Sequence, residues 1–378
     1  MINKQLNMFN NAASTYYNTG NYVKALEYYE KALAISEKVL GTEHPDTATT
    51  YNNIAGIYRD TGEFDKALEY YEKALVIREK VLGTEHPYTA ATYNNIALLY
   101  NYIGDYNKAL EYYDKALDIR EKIFGTEHPD TATTYDNIAG VYQDMGEYDK
   151  ALEYYNKALE ISKKLLGTEH PDTGATYNNL ACVYQSMNDY DKALEYYEKA
   201  LAIVEKTLGT EHPYTAATYN NIACIYNDLG KNEMAREYNE KALKIRKKVL
   251  GTEHPDTATT YNNMAGVYRA KGDYDKALEY YEKAKAISEK VLGTEHPDTA
   301  TTYNNIATVY CDMGEYDKAL DYANKARRIS EKVFGEEHPK TKNIYYGLAG
   351  IYAIKHEYEK AKEYAIKAGI TPDPPPQA

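Results

Sequence analysis

The chain has 378 residues, 27% of them charged and 43% hydrophobic, and a formal net charge of −13. Phosphate backbones demand clustered Lys and Arg, so this acidic balance argues against nucleic acid and anionic membrane as partners. No apolar run approaches the about 18 residues of a spanning helix, and Met1-Ile2-Asn3-Lys4 opens no apolar leader, so a cytoplasmic protein is expected.

A first helical hairpin is predicted over residues 1–40. Phe9, Ala12, Ala13 and Tyr16 fall on one helical stripe, and Ala25, Tyr29 and Ala32 on a second. The string Gly41-Thr42-Glu43-His44-Pro45 follows, and it marks the organisation of the whole chain. GTEHP occurs seven times, and an eighth copy reads Gly335-Glu336-Glu337-His338-Pro339. Its histidines, His44, His86, His128, His170, His212, His254, His296 and His338, are spaced 42 residues apart. A strict period in this range specifies a solenoid of stacked supersecondary units. The length would otherwise suggest two or three globular domains, but in a solenoid each unit touches its neighbours and one domain grows by repetition.

In the second hairpin, 45–82, Pro45 takes a first-turn position and Asp46 favours the positive end of the helix dipole. Ala48, Tyr51, Ile54, Ala55 and Tyr58 then form one apolar face, and Gly62 ends the helix as a left-handed cap. A second helix is predicted from near Glu63 to Leu82, with Phe64, Ala67, Leu68, Tyr71, Ala74 and Leu75 as its stripe. The same pattern predicts hairpins at 87–124, 129–166, 171–208, 213–250, 255–292, 297–334 and 339–368. Together they form one solenoid over 1–370, followed by a Pro-rich tail at 371–378. At the Gly62 position, Asn188 and His356 replace glycine. The sixth unit departs furthest: Asn232 replaces an aromatic, Arg236 a leucine and Asn239 a tyrosine, which reads as a softer joint or as drift.

The pattern Tyr51-x2-Ile54-Ala55-x2-Tyr58, then Ala67-x3-Tyr71-x2-Ala74, resembles the tetratricopeptide repeat, with Tyr in place of its first Trp. The 42-residue variant with LGTEHPDTA before YNNIA is similar to the repeats of kinesin light chains and nephrocystin-3-like bacterial proteins. The resemblance covers Asn3 to Ala368. It implies an all-α, right-handed superhelix of nine hairpins, with the first helices lining a concave groove that holds a protein or peptide partner. Kinesin light chains, by that resemblance, read acidic cargo with basic groove residues. Here such residues are few, chiefly Arg59 and Arg269.

Chemistry of other kinds is not expected. Repeat-equivalent histidines lie too far apart to share an ion, so they read as helix-entry residues, with no metal and no cofactor. Cys182, Cys224 and Cys311 make no ligand or disulfide spacing and are expected as reduced thiols. No phosphate loop and no Ser-His-Asp grouping appears, so the chain reads as a non-enzyme.

An asparagine ladder is the candidate site. Pairs at Asn52-Asn53, Asn94-Asn95, Asn178-Asn179, Asn220-Asn221, Asn262-Asn263 and Asn304-Asn305, with Asp136-Asn137 in the fourth unit, sit mid-helix where Asn is a poor choice. An amide offers donors and acceptors suited to the backbone of an extended peptide. The first member of each pair is assigned to the groove; the second is divided between the groove and a bond to a neighbouring helix. Small residues at Gly56, Gly140, Cys182, Cys224, Gly266 and Thr308 share the first member's face. Asp60, Asp144, Asp228 and Asp312 recur every second unit at helix ends, where a solvated carboxylate is expected. The leading function is a non-catalytic scaffold binding an extended segment. A spacer or consensus-like scaffold without fixed ligand and a peptide-sensing module stay open beside it.

Overall fold

The computed structural model describes residues 2–370, so the Pro-rich tail expected at 371–378 lies outside the described residues. These residues form eighteen helices, two per unit. The first-position helices are α1 (Ile2–Asn18), α3 (Pro45–Asp60), α5 (Pro87–Ile103), α7 (Pro129–Asp144), α9 (Pro171–Ser186), α11 (Pro213–Asp228), α13 (Pro255–Ala270), α15 (Pro297–Asp312) and α17 (Pro339–Ile354). Their partners are α2 (Tyr22–Val39), α4 (Phe64–Leu82), α6 (Tyr106–Phe124), α8 (Tyr148–Leu165), α10 (Tyr190–Thr207), α12 (Asn232–Val249), α14 (Tyr274–Val291), α16 (Tyr316–Phe334) and α18 (Tyr358–Lys367).

The helix starts follow from local chemistry. From α3 onward, each odd-numbered helix has proline in its first turn, where the missing N–H costs nothing. The preceding histidine is extended and caps it. His44 Nδ1 accepts from Asp46 N–H at 3.1 Å, and His170 does the same for Asp172 at 3.2 Å. Even-numbered helices are capped where the sequence supplies a short acceptor: Asp105 accepts from Lys108 N–H at 3.2 Å, while Glu63 makes no such bond. Between the helices of a hairpin the chain must turn left-handed. Gly62 does so at φ 75°, and Asn188 and His356 are held there at 60° and 61°.

Packing within a hairpin depends on small residues. Ala55, Ala67 and Ala74 are fully buried, which brings the helices close enough to enclose Tyr71. Above them three aromatics nest: Tyr70 lies 5.9 Å from Tyr51 and 5.4 Å from Tyr58, centroid to centroid.

Consecutive units are tied by side chains that the repeat supplies at each joint. Tyr51 Oη donates to Glu37 Oε1 at 2.5 Å, and Thr47 Oγ1 donates to the Gly41 carbonyl at 2.9 Å. Lys80 pairs with the Glu43 of the preceding connector at 2.6 Å. Where Lys163 and Lys247 replace the glutamate, each ammonium instead sits 5.2 Å above the ring it would have bonded, Tyr177 and Tyr261.

Two long-range features shape the molecule. Successive odd-numbered helices touch (α5 with α7, α7 with α9, α11 with α13, α15 with α17), whereas no successive even-numbered pair among the described residues packs comparably. The ribbon therefore curves with its odd-numbered helices inside, and α11 and α13 approach most closely, at the unit where Asn239 replaces the buried tyrosine. The curvature then brings the chain back onto itself. The hairpin turns at Gly20, Gly62 and Gly104 meet the connectors at His254, His296 and His338. A Cβ added to Gly62 would stand 2.9 Å from Pro297 Cδ, and one on Gly104 would stand 2.5 Å from His338 Cδ2. Phe64 and Phe334 pack across the same seam at 6.0 Å. Units 1, 2 and 3 thus abut units 7, 8 and 9, six units further along.

Candidate peptide-binding face

The inner face is built from the middle and last turns of the odd-numbered helices. The asparagine pairs sit on it, and their amides brace one another between units. Asn95 Nδ2 donates to Asn52 Oδ1 at 3.0 Å, Asn137 to Asn94 at 3.0 Å and Asn221 to Asn178 at 3.1 Å. The second asparagine of one unit thus holds the first asparagine of the unit before it. The bond uses the oxygen of the first amide; its Nδ2 makes no hydrogen bond among the described residues for Asn52, Asn94 and Asn178.

Elsewhere the ladder changes partners. Asn262 Nδ2 donates to Thr302 Oγ1 at 3.1 Å, and Asn263 Nδ2 to Cys224 Sγ at 3.3 Å. Asn220 is only 4% exposed, with its Oδ1 buried and without a protein partner. Asn53, Asn179, Asn304 and Asn305 lie half-buried on the same helices. In the fourth unit the ladder carries a carboxyl instead. Asp136 Oδ2 accepts from Thr176 Oγ1 at 3.3 Å, and its Oδ1 is buried without a partner. Burial, reinforced by the charge of Asp172 and opposed by the Thr176 bond, pushes this carboxyl up to about 7.

A second ladder runs along the helix ends. Asp144 Oδ2 accepts from Asn101 Nδ2 at 2.9 Å, Asp228 Oδ2 from Gln185 Nε2 at 3.1 Å and Asp312 Oδ2 from Arg269 Nε at 2.6 Å. Asp60 accepts from Tyr17 Oη in the same way, and from its own neighbour Arg59 Nε at 2.7 Å. Asp144, Asp228 and Asp312 are exposed, as expected of solvated ends, and all four carboxylates also join units in pairs, which accounts for their alternation. They also pair with Arg59 and Arg269. Arg59 is tied to Asp60 and stacks 6.0 Å from the Tyr102 ring, and Arg269 is tied to Asp312.

The small residues between the ladders have a second use. The hydroxyl of the buried Tyr71 reaches up beneath Gly56, 3.9 Å from where a Cβ would be, and Tyr155 does so beneath Gly140 at 3.6 Å. Cys182 Sγ stands 3.0 Å from Tyr197 Oη at the same position. Burial pushes the Tyr71 phenol up to about 12, so these hydroxyls stay protonated. One residue near the ladder escapes pattern-reading: Tyr214, which, like Tyr88, takes the place of Asp46 in its unit. Tyr214 is buried enough to raise its phenol, with Asp136, Cys182 and Asp172 near enough to add to the shift. The signal available in the sequence was the break from PDTA to PYTA.

An all-α solenoid of helical hairpins with an inner face of this kind defines a repeat-built interaction protein. The tetratricopeptide repeat family matches in eight overlapping stretches from 4–80 to 298–368, and the chain belongs to that family. Among solved structures it is similar to a putative kinesin light chain of Podosopora anserina with nearly identical repeats, 31% identical over 54% of this chain and 97% of that one, TM-score 0.44. A Rap protein complexed with Competence and Sporulation Factor covers 97% of this chain and 96% of its own at 14% identity and TM-score 0.65. Aspartyl phosphate phosphatase F from Bacillus subtilis covers 82% and 76% at 18% identity and TM-score 0.57. The last two likenesses show the fold. A human clustered mitochondria protein homolog is 38% identical over 66 residues, and this chain spans 5% of that protein's length. No described helix is long and apolar enough to cross a membrane.

Proposed function

We propose that the protein is a non-catalytic scaffold whose inner face holds an extended segment of a partner protein. The observation that carries this reading is the row of first-position amides at Asn52, Asn94 and Asn178. Each is fixed through its oxygen and keeps an unspent Nδ2 on the curved-in side. Rigid donors on equivalent turns of one face suit peptide carbonyls, because the braced amides lose little freedom on binding. With Arg59 and Arg269 neutralised by their own carboxylates, the face is not furnished for acidic cargo, and a neutral or basic segment fits it better. Three free thiols are in keeping with a reducing, cytoplasmic setting.

The test is a titration of an extended-peptide library against the wild type and the triple variant Asn52→Asp, Asn94→Asp, Asn178→Asp. Aspartate preserves the acceptor that each neighbouring asparagine needs and deletes the Nδ2 donors. Affinity for the best peptide is expected to fall by about tenfold or more, with the fold retained by circular dichroism. Unchanged affinity would remove the amides from recognition.

A further inference from the structure

The contact between units 1–3 and units 7–9 joins two unlike edges of the ribbon, the hairpin turns on one side and the GTEHP connectors on the other. Both edges continue past the region where they meet. The turns at Gly146, Gly230 and Gly272 have nothing within 4 Å of an added Cβ, although those at Gly146 and Gly272 keep the acidic-aromatic pair found after Gly62 and Gly104. The connectors of the earlier units are equally free. The side chains of His44 and His170 are each 39% exposed, against 11% for His254 and 8% for His296 inside the seam. The molecule therefore displays two surfaces of the kinds that touch one another within its own chain.

We propose that these free edges receive a second copy of the chain, added head to tail so that the superhelix continues. The pairing rule inside one molecule sets unit n against unit n+6. Continued past the ninth unit, it places the connectors at His44, His86 and His128 of the incoming copy on the turns at Asn188, Gly230 and Gly272 of the first. The same step lays the first unit of one copy on the last unit of the other. There Tyr358 is 65% exposed, whereas its counterpart Tyr316 is half-buried beneath the following unit. A contact between two different edges that advances along the superhelix does not close into a ring, so copies add without a fixed limit.

Sedimentation velocity of the full chain across a wide concentration range tests this. The expected result is a weight-average mass that climbs from 43.0 kDa through successive multiples without a plateau. A mass that stays at the monomer, or stops at two copies, overturns the proposal. Thr84→Arg with Thr126→Arg places a cation on two exposed connectors, which would face Lys231 and Lys271 of the preceding copy. This variant is expected to remain monomeric with an unchanged melting curve; if it assembles like the wild type, the proposed edge is wrong. Thr252→Arg with Thr294→Arg, at equivalent positions lining the internal seam, is expected instead to open the monomer, read as a larger radius of gyration by small-angle scattering. An unchanged radius contradicts the edge assignment.

Discussion

His296 and Asp60, 236 residues apart in sequence, meet across the superhelix, with the imidazole Nε2 standing 3.1 Å from the Asp60 carbonyl oxygen. The other ring nitrogen, Nδ1, accepts from Asp298 N–H at 3.0 Å. The neutral ring protonated on Nε2 satisfies both bonds, donating across the seam and accepting at the helix start. A proton on Nδ1 would turn the cap acceptor into a donor facing another donor.

Stability is therefore expected to fall in mild acid. Burial lowers the proton affinity of His254 and His296, with Asp256 opposing it at the first and Asp298 and Asp60 at the second; Arg246 and Lys340 add to the lowering. Burial and Lys340 bring His338 down to about 4. Folding thus excludes protons that the unfolded chain takes up near pH 6.5. The contribution is complete above about pH 6.5 and is lost progressively as pH falls toward about 4. Thermal melts over that interval check it, and His296→Gln combined with His338→Gln is expected to flatten the slope relative to wild type.

The Asp136 carboxyl has the opposite sign. Its folded value is raised to about 7 from 3.8, so the fold favours the protonated form, and stability is lost as pH rises between those values. Asp136→Asn supplies an uncharged group of the same shape and restores the ladder. It is expected to stabilise by about 1–3 kcal/mol at pH 8, with the gain vanishing near pH 4. Denaturant unfolding of both proteins at the two pH values measures the difference.

The close approach of the two helices in each hairpin depends on alanine. Ala67→Leu inserts three carbons where Ala67 and Ala55 are both fully buried, and a cost of about 1–3 kcal/mol is expected. In a solenoid whose units touch mainly neighbours, the loss should appear first as local exchange around α3 and α4, read by hydrogen–deuterium exchange. Uniform loosening of units away from both the neighbours and the seam, such as those of α9 to α12, would contradict it.

Much of the architecture is legible in the sequence because the repeat states it at every joint. Pro after His marks a helix start, the positive-φ glycine marks a turn, and alanines at fixed offsets mark the hairpin contact. The ladders were harder to read. Asn52 and Asn95, or Arg269 and Asp312, are partners 43 residues apart, one more than the period. Aligning units in register places such residues in neighbouring columns and hides the bond between them. The seam was less legible still. All eight connectors carry nearly the same string, yet three meet a turn, and which three depends on the accumulated rotation of six units. GTEHP, read as a connector and helix start, also serves at those three sites as one edge of a long-range contact.

The central claim is that the first-position amides of the inner face bind a partner's backbone. Its most direct test is the side-chain amide spectrum of the 15N-labelled protein, titrated with the tightest peptide from the library. The Nδ2 resonances of Asn52, Asn94 and Asn178 are expected to shift together with occupancy, while exposed amides on the outer helices, such as Asn156, stay in place. Stationary inner-face amides at saturating peptide, with shifts confined to the outer helices, would contradict the account.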